Sequence, residues 1–184
     1  MTGTTNRRPM LIAGLAALAI LSSACDGAVS GNPSPTTPAP TVTTGTSSSN
    51  GDPFAKMTPC ATLDQTLMGQ GYAKAVPTTA DTERSCTSNK VGDSDVALSL
   101  QAGQTIDENI PDRSKAFPGK LNGRALILER EPTGITGQCS IGLEVQPGSR
   151  ALLAVGTSAK TTDQACDMAE TFAKKLEPLL PKAG

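Results

Sequence analysis

The chain has no histidine and no tryptophan, and its only aromatic residues are Phe54, Tyr72, Phe117 and Phe172. Without histidine there is no Ser-His or Cys-His nucleophile pair, and the commonest general base and transition-metal ligand are missing. Without tryptophan and with so few other rings, stacking platforms for sugars or bases are scarce. The core therefore has to be built from Leu, Ile, Val and Ala. No C-x-x-C occurs, which removes the usual redox and zinc spacings. Nor is there a basic excess. The formal charge is −1, and losing Arg7 and Arg8 with a cleaved leader takes it to −3. A nucleic-acid partner, which needs a basic face, is not expected, and neither is a polybasic hold on anionic lipid.

One apolar run stands out, Met10 to Leu21, behind the arginine pair Arg7-Arg8. It is shorter than the roughly 20 residues a spanning helix needs, and it reads as the h-region of a signal peptide over residues 1–24. Asn6 to Leu11 fits a loose twin-arginine export pattern and equally an ordinary Sec n-region. The run ends in Leu21-Ser22-Ser23-Ala24-Cys25, small residues leading into a cysteine, as in a lipoprotein signal. Ser22 stands where an aliphatic residue is usual. Ser22-Ser23-Ala24 is also an acceptable ordinary signal-peptidase site, which would leave Cys25 a free thiol. The cysteine count favours lipidation of Cys25. There are five cysteines, and assigning Cys25 to lipid leaves four, an even number for an exported chain. Two or three acyl chains on the mature terminus give stable anchoring at the extracytoplasmic face of the cell membrane.

Residues 25–51 read as a lipidated cysteine followed by a disordered tether rich in Thr, Ser and Pro, with Val29 and Val42 its only large apolar residues. Such a segment buries too little apolar surface to offset its ordering entropy. It would reach roughly 28 Å as a flexible coil and about 80 Å if proline holds it extended. Its threonines suit O-glycosylation and a bare spacer equally well.

Residues 52–184 are enough for a single α+β domain with one core. Thr58-Pro59 reads as a helix start, and Cys60, Leu63 and Leu67 share one helical face. Strands are expected over 84–90, 95–101, 124–130, 138–145 and 150–155. The last two are joined at Gln146-Pro147-Gly148-Ser149 as a hairpin. Between the second and third lies an irregular stretch, where Thr105 to Asn109 would hold one helical turn and Pro118-Gly119 and Asn122-Gly123 read as turns. Thr161 with Gln164 marks a capping box for a terminal helix carrying Cys166, Ala169, Ala173, Leu176 and Leu180 on one side. The expected architecture is an antiparallel sheet of about five strands with the N- and C-terminal helices packed on one face.

Four cysteines allow three pairings. The expected pairs are Cys60–Cys86 and Cys139–Cys166, each tying a helix to the sheet. Asp52-Pro53-Phe54 leading to Pro59-Cys60 and Leu63, Cys86, Gln138-Cys139, and Ala165-Cys166 with Ala169 ahead of Leu180-Pro181 then form a recognisable frame. With it the chain resembles a family of small actinobacterial secreted lipoproteins that share a four-cysteine domain of unknown function. Members often carry an aromatic after the first-strand cysteine, where this chain has Thr87-Ser88. The resemblance implies an envelope lipoprotein and supplies no activity.

No catalytic residue, cofactor site or metal site is assigned from the sequence. Gly92-Asp93-Ser94-Asp95 offers two carboxylates, too few for calcium, and reads as a turn. Asp107, Glu108 and Asp112 read as a solvated acidic loop or the rim of a groove. Ser114-Lys115 and Ser158 with Lys160 lie in polar loops, whereas a Ser-Lys nucleophile needs a buried lysine. Tyr72 suits a core or a pocket wall. The function expected is a non-enzymatic binding or sensing module, with a small molecule or an envelope protein as partner. The alternative is an envelope structural or accessory protein working through a partner surface; a hydrolase is a third class. A concavity between helix and sheet would favour the first.

Overall fold

A computed structural model of the chain describes residues 51–182. The signal peptide expected over 1–24, Cys25 and nearly all of the tether lie outside the described residues. Helix α1 is Pro59–Thr66 and helix α2 is Thr162–Leu176. Between them run seven strands: β1 Val76–Pro77, β2 Ser85–Lys90, β3 Ser94–Ala102, β4 Ala116–Leu121, β5 Arg124–Arg130, β6 Gln138–Gln146 and β7 Ser149–Gly156. They form one antiparallel sheet in the order β1-β2-β3-β7-β6-β5-β4. Two meanders, β1–β3 and β4–β7, are thus joined through β3 and β7.

The two strands beyond the five expected are both edges. Val76–Pro77 is a two-residue extension. Strand β4 contains Pro118-Gly119, which the sequence suggested was a turn. The other expected turn, Asn122-Gly123, is present: both residues have positive φ (52° and 87°), the two-residue I′ geometry. It makes Leu121 and Arg124 a facing pair. Alternation from there directs Pro118 to the free edge, where its missing N–H costs no ladder bond and denies a docking strand its donor. At Thr105–Asn109 there is a single hydrogen-bonded turn and no helix, with the Glu108 amide donating to the Thr105 carbonyl at 3.4 Å ahead of Pro111.

Period-two alternation builds the core. Val96, Leu98 and Leu100 of β3, Ile141 and Leu143 of β6, and Leu153 and Val155 of β7 are almost wholly buried on the helix side, each contributing about 1.5–3 kcal/mol. Helix α2 starts with the reciprocal Thr161–Gln164 capping box. Its buried Ala165, Ala169 and Ala173 let it sit close to β6 and β7. Thr58 stands before α1 without a side-chain cap, and Pro59 occupies the first turn. Disulfides join Cys60 of α1 to Cys86 of β2 and Cys139 of β6 to Cys166 of α2. Disulfides of this kind fit folding in an oxidising, extracytoplasmic compartment.

The opposite face is covered by the β3–β4 crossover. Arg150 of β7, only 5% exposed, holds it. Its guanidinium donates to the carbonyls of Thr105 (3.1 Å) and Glu108 (2.7 Å) and to the side-chain carbonyls of Gln101 (2.5 Å) and Gln104 (3.1 Å).

Candidate functional site

Helix α1 lies over β2 and β3, and α2 lies over β6 and β7. Helix α2 reaches β5 only at its margin, and β4 lies beyond it. The result is a trough along the outer flank of α2. Its floor is Leu126 and Leu128 of β5 with Phe117, Gly119 and Leu121 of β4; its wall is the α2 side chains Asp163, Asp167, Glu170 and Lys174. Two contiguous hollows of about 290 and 440 Å³ share Phe117, Leu128 and Glu170. Phe117 is 49% exposed, and the leucines beneath are half-buried. Gly119 contributes no side chain, so the floor stays open there; an added Cβ would meet the Leu126 Cδ1 methyl at 3.3 Å.

Arg130 lines one end of the trough, and Lys120 lines it on the β4 side. Arg130 pairs with Asp163 at 2.6 Å. Arg124, 6% exposed, pairs with Glu177 at 3.3 Å and donates to the carbonyls of Glu144 and Pro181. Along the wall, Lys174 reaches Glu170 at 3.9 Å. Among the described residues, no lysine or arginine pairs with Asp167.

A second hollow, of about 640 Å³, opens between the β2–β3 turn, the β5–β6 loop and the residues after β7. Val91 and Ile135 flank it with 93% and 59% exposure. Of its two carboxylates, Asp93 is held by Lys90 (3.1 Å) and by Lys160.

The other sequence candidates disperse. Ser114 donates to Asp112 while Lys115 pairs with Glu131 at 2.7 Å, so the two neighbours serve different partners. Lys160 is engaged with Asp93, away from any role with Ser158. Ser114 holds the Asp112 carboxyl below the usual carboxylate range, and Thr105 does the same for Asp107. These acids cap turns of the crossover, and Glu108 contributes its backbone carbonyl to Arg150. Tyr72 meets Phe172 edge-on at 5.7 Å, its hydroxyl and that of Ser94 are 2.5 Å apart, and the ring is also a wall of a hollow of about 320 Å³ between the end of α1 and α2.

Sequence reasoning missed the trough. Phe117 sat beside a supposed turn, and the polar positions 163, 167, 170 and 174 of the terminal helix drew no reading. Their spacing does put them on one stripe, and that was the available signal.

No protein-family model, curated protein or solved structure matches the chain.

Proposed function

We propose that this chain is a lipid-anchored extracytoplasmic binding module, non-catalytic, that works through the trough between α2 and the β4–β5 hairpin. The observation that carries this reading is the apolar floor left open there, with Phe117 half exposed beside it. A single exposed ring is ordinary; what supports an interaction surface is its continuity with the half-buried Leu126 and Leu128 beneath it. The two disulfides and the lipoprotein-like Leu21–Cys25 stretch support placement outside the membrane on a diacylglyceryl Cys25. The resemblance to small actinobacterial lipoproteins points the same way. The absence of histidine supports binding over hydrolysis. The test uses the full chain drawn from its own envelope into polymer-bounded lipid discs. The mass of the mature amino terminus is expected to include a diacylglyceryl Cys25, and a component is expected to co-purify with wild type and be lost from Gly119→Trp, which fills the trough. A free Cys25 thiol refutes the anchor. The same bound material on both chains, or none on either, refutes the trough as the site.

A further inference from the structure

We propose that both free edges of the sheet are built to refuse a further strand, a device that keeps copies of this chain from pairing edge to edge. The sheet is open, and β1 and β4 are its two edges. An open edge ordinarily offers a row of unpaired amides to any strand that comes alongside. Here almost every such amide is absent or occupied.

Alternation settles which amides point outward. On the β4 side, Leu121 and Arg124 flank the two-residue turn and exchange bonds, so the amide positions of Leu121, Gly119 and Phe117 face β5. Those of Ala116, Pro118 and Lys120 face outward. Pro118 has no N–H. The Ala116 amide donates instead to the carbonyl of Arg113, closing the short helical turn Arg113–Lys115 before the strand. Lys120 is left, and its exposed charge opposes an identical edge. On the β1 side, the Thr78 amide donates to the Ser85 carbonyl at 3.0 Å. Val76 faces β2 in the same way, opposite Thr87, so the amide positions of Ala75 and Pro77 face outward. Pro77 has no N–H, and the Ala75 amide donates to the Asp64 carboxylate of α1 at 2.7 Å.

The two prolines also stand where the hazard is greatest. Val76 and Phe117 are exposed large apolar residues, at 54% and 49%, and each is followed directly by its own edge's proline. Unpaired donors beside exposed apolar side chains are what promote strand addition. With two such edges, β1 of one copy joined to β4 of the next would generate an open-ended ribbon rather than a closed dimer. A partner of this chain is then recognised through side chains and not by adding a strand to the sheet. Neither the anchor nor the trough is needed for this.

The test uses the full chain purified from its own envelope in a non-ionic detergent with micelles in excess, followed by sedimentation over a range of concentrations and by hydrogen exchange. Pro118→Thr with Lys120→Thr gives β4 two outward donors without the charge; Pro77→Thr returns one to β1. Pro147→Thr, at an exposed proline in the β6–β7 turn, is the control. Thermal unfolding is run on each, and exposed substitutions of this kind are expected to shift it little. Wild type and control are expected to stay single. At least one folded edge variant is expected to associate at concentrations at least about tenfold below any at which wild type does, with exchange slowed along the opened edge, 116–121 or 75–78. Edge variants that fold and stay single overturn the proposal. So does association that leaves exchange of the opened edge unchanged, and so does a wild-type chain that associates with its own edges protected. Loss of the fold in both edge variants overturns it as well, since the prolines would then be structural rather than protective.

Discussion

The guanidinium of Arg150 donates to the backbone carbonyl of Glu108 at 2.7 Å, tying the β3–β4 crossover to the face of the sheet opposite the helices. The same side chain also binds Gln101, Gln104 and Thr105. A buried arginine with every guanidinium nitrogen engaged is worth most when the comparison is its removal, because all of those hydrogen bonds are lost together. Arg150→Met is expected to destabilise the chain by about 2–4 kcal/mol in urea unfolding. It should also open the crossover around residues 103–112 to protease at native temperature. Wild-type protease resistance in the variant would show that Ile106 and Ile110 hold the segment without the clamp.

Glu129 lies under that crossover, near Arg150 and Ser140, with Asp112 also in range. Burial, the largest influence, pushes its carboxyl above the ordinary value of 4.5, against the opposing pull of Arg150 and Ser140. The folded chain then holds this proton more tightly than the unfolded one. The group's contribution is fully present below the ordinary carboxylate range and is lost as pH rises through the raised folded value. Glu129→Gln, a mimic of the protonated form, should raise Tm at pH 7 and change it little at pH 4. A lower Tm at pH 7 would mean that the attraction of Arg150 wins over burial.

Each disulfide closes a comparable loop, with sequence separations of 26 and 27. In the chain-entropy account each is worth about 3–4 kcal/mol. Replacing Cys139 and Cys166 together by alanine should lower stability by that order and loosen α2 specifically, since that bridge pins the helix to β6. Hydrogen exchange of the α2 amides is the discriminating readout. Faster exchange confined to α1 instead would contradict the assignment of this bridge to α2.

Phe117 and Leu153 are both large apolar residues, 49% and 0% exposed. Leu153→Ala should cost about 2–5 kcal/mol by leaving a core cavity. Phe117→Ser should cost less than about 1 kcal/mol, as exposed substitutions do, while still removing trough binding. A large stability loss from Phe117→Ser would mark the ring as a structural plug rather than part of a site.

What could be read from the sequence follows how local each signal is. Cys139, Ile141, Leu143 and Val145 alternate within one strand, and Thr161 with Gln164 form a cap within one turn; both signals need no partner. The Pro118-Gly119 strand was hidden because proline and glycine are turn residues everywhere except on an edge. The role of Arg150 could not be read from its place at the start of a strand, since its backbone acceptors are carbonyls more than 40 positions earlier. The trough was hidden for a related reason. It arises because the sheet extends beyond α2 at the β5–β4 side, and Phe117, Leu128 and Asp167 meet only once strand order is set.

The most direct test of the account places a photo-crosslinker in the trough of the full chain in intact cells. p-Benzoylphenylalanine replaces Phe117 in one strain and the fully exposed Val91, at the other end of the sheet, in a second. The account predicts a discrete crosslinked adduct from position 117 that is absent from position 91 and abolished by adding Gly119→Trp. Adducts of equal yield from both positions, or from position 91 alone, would contradict it.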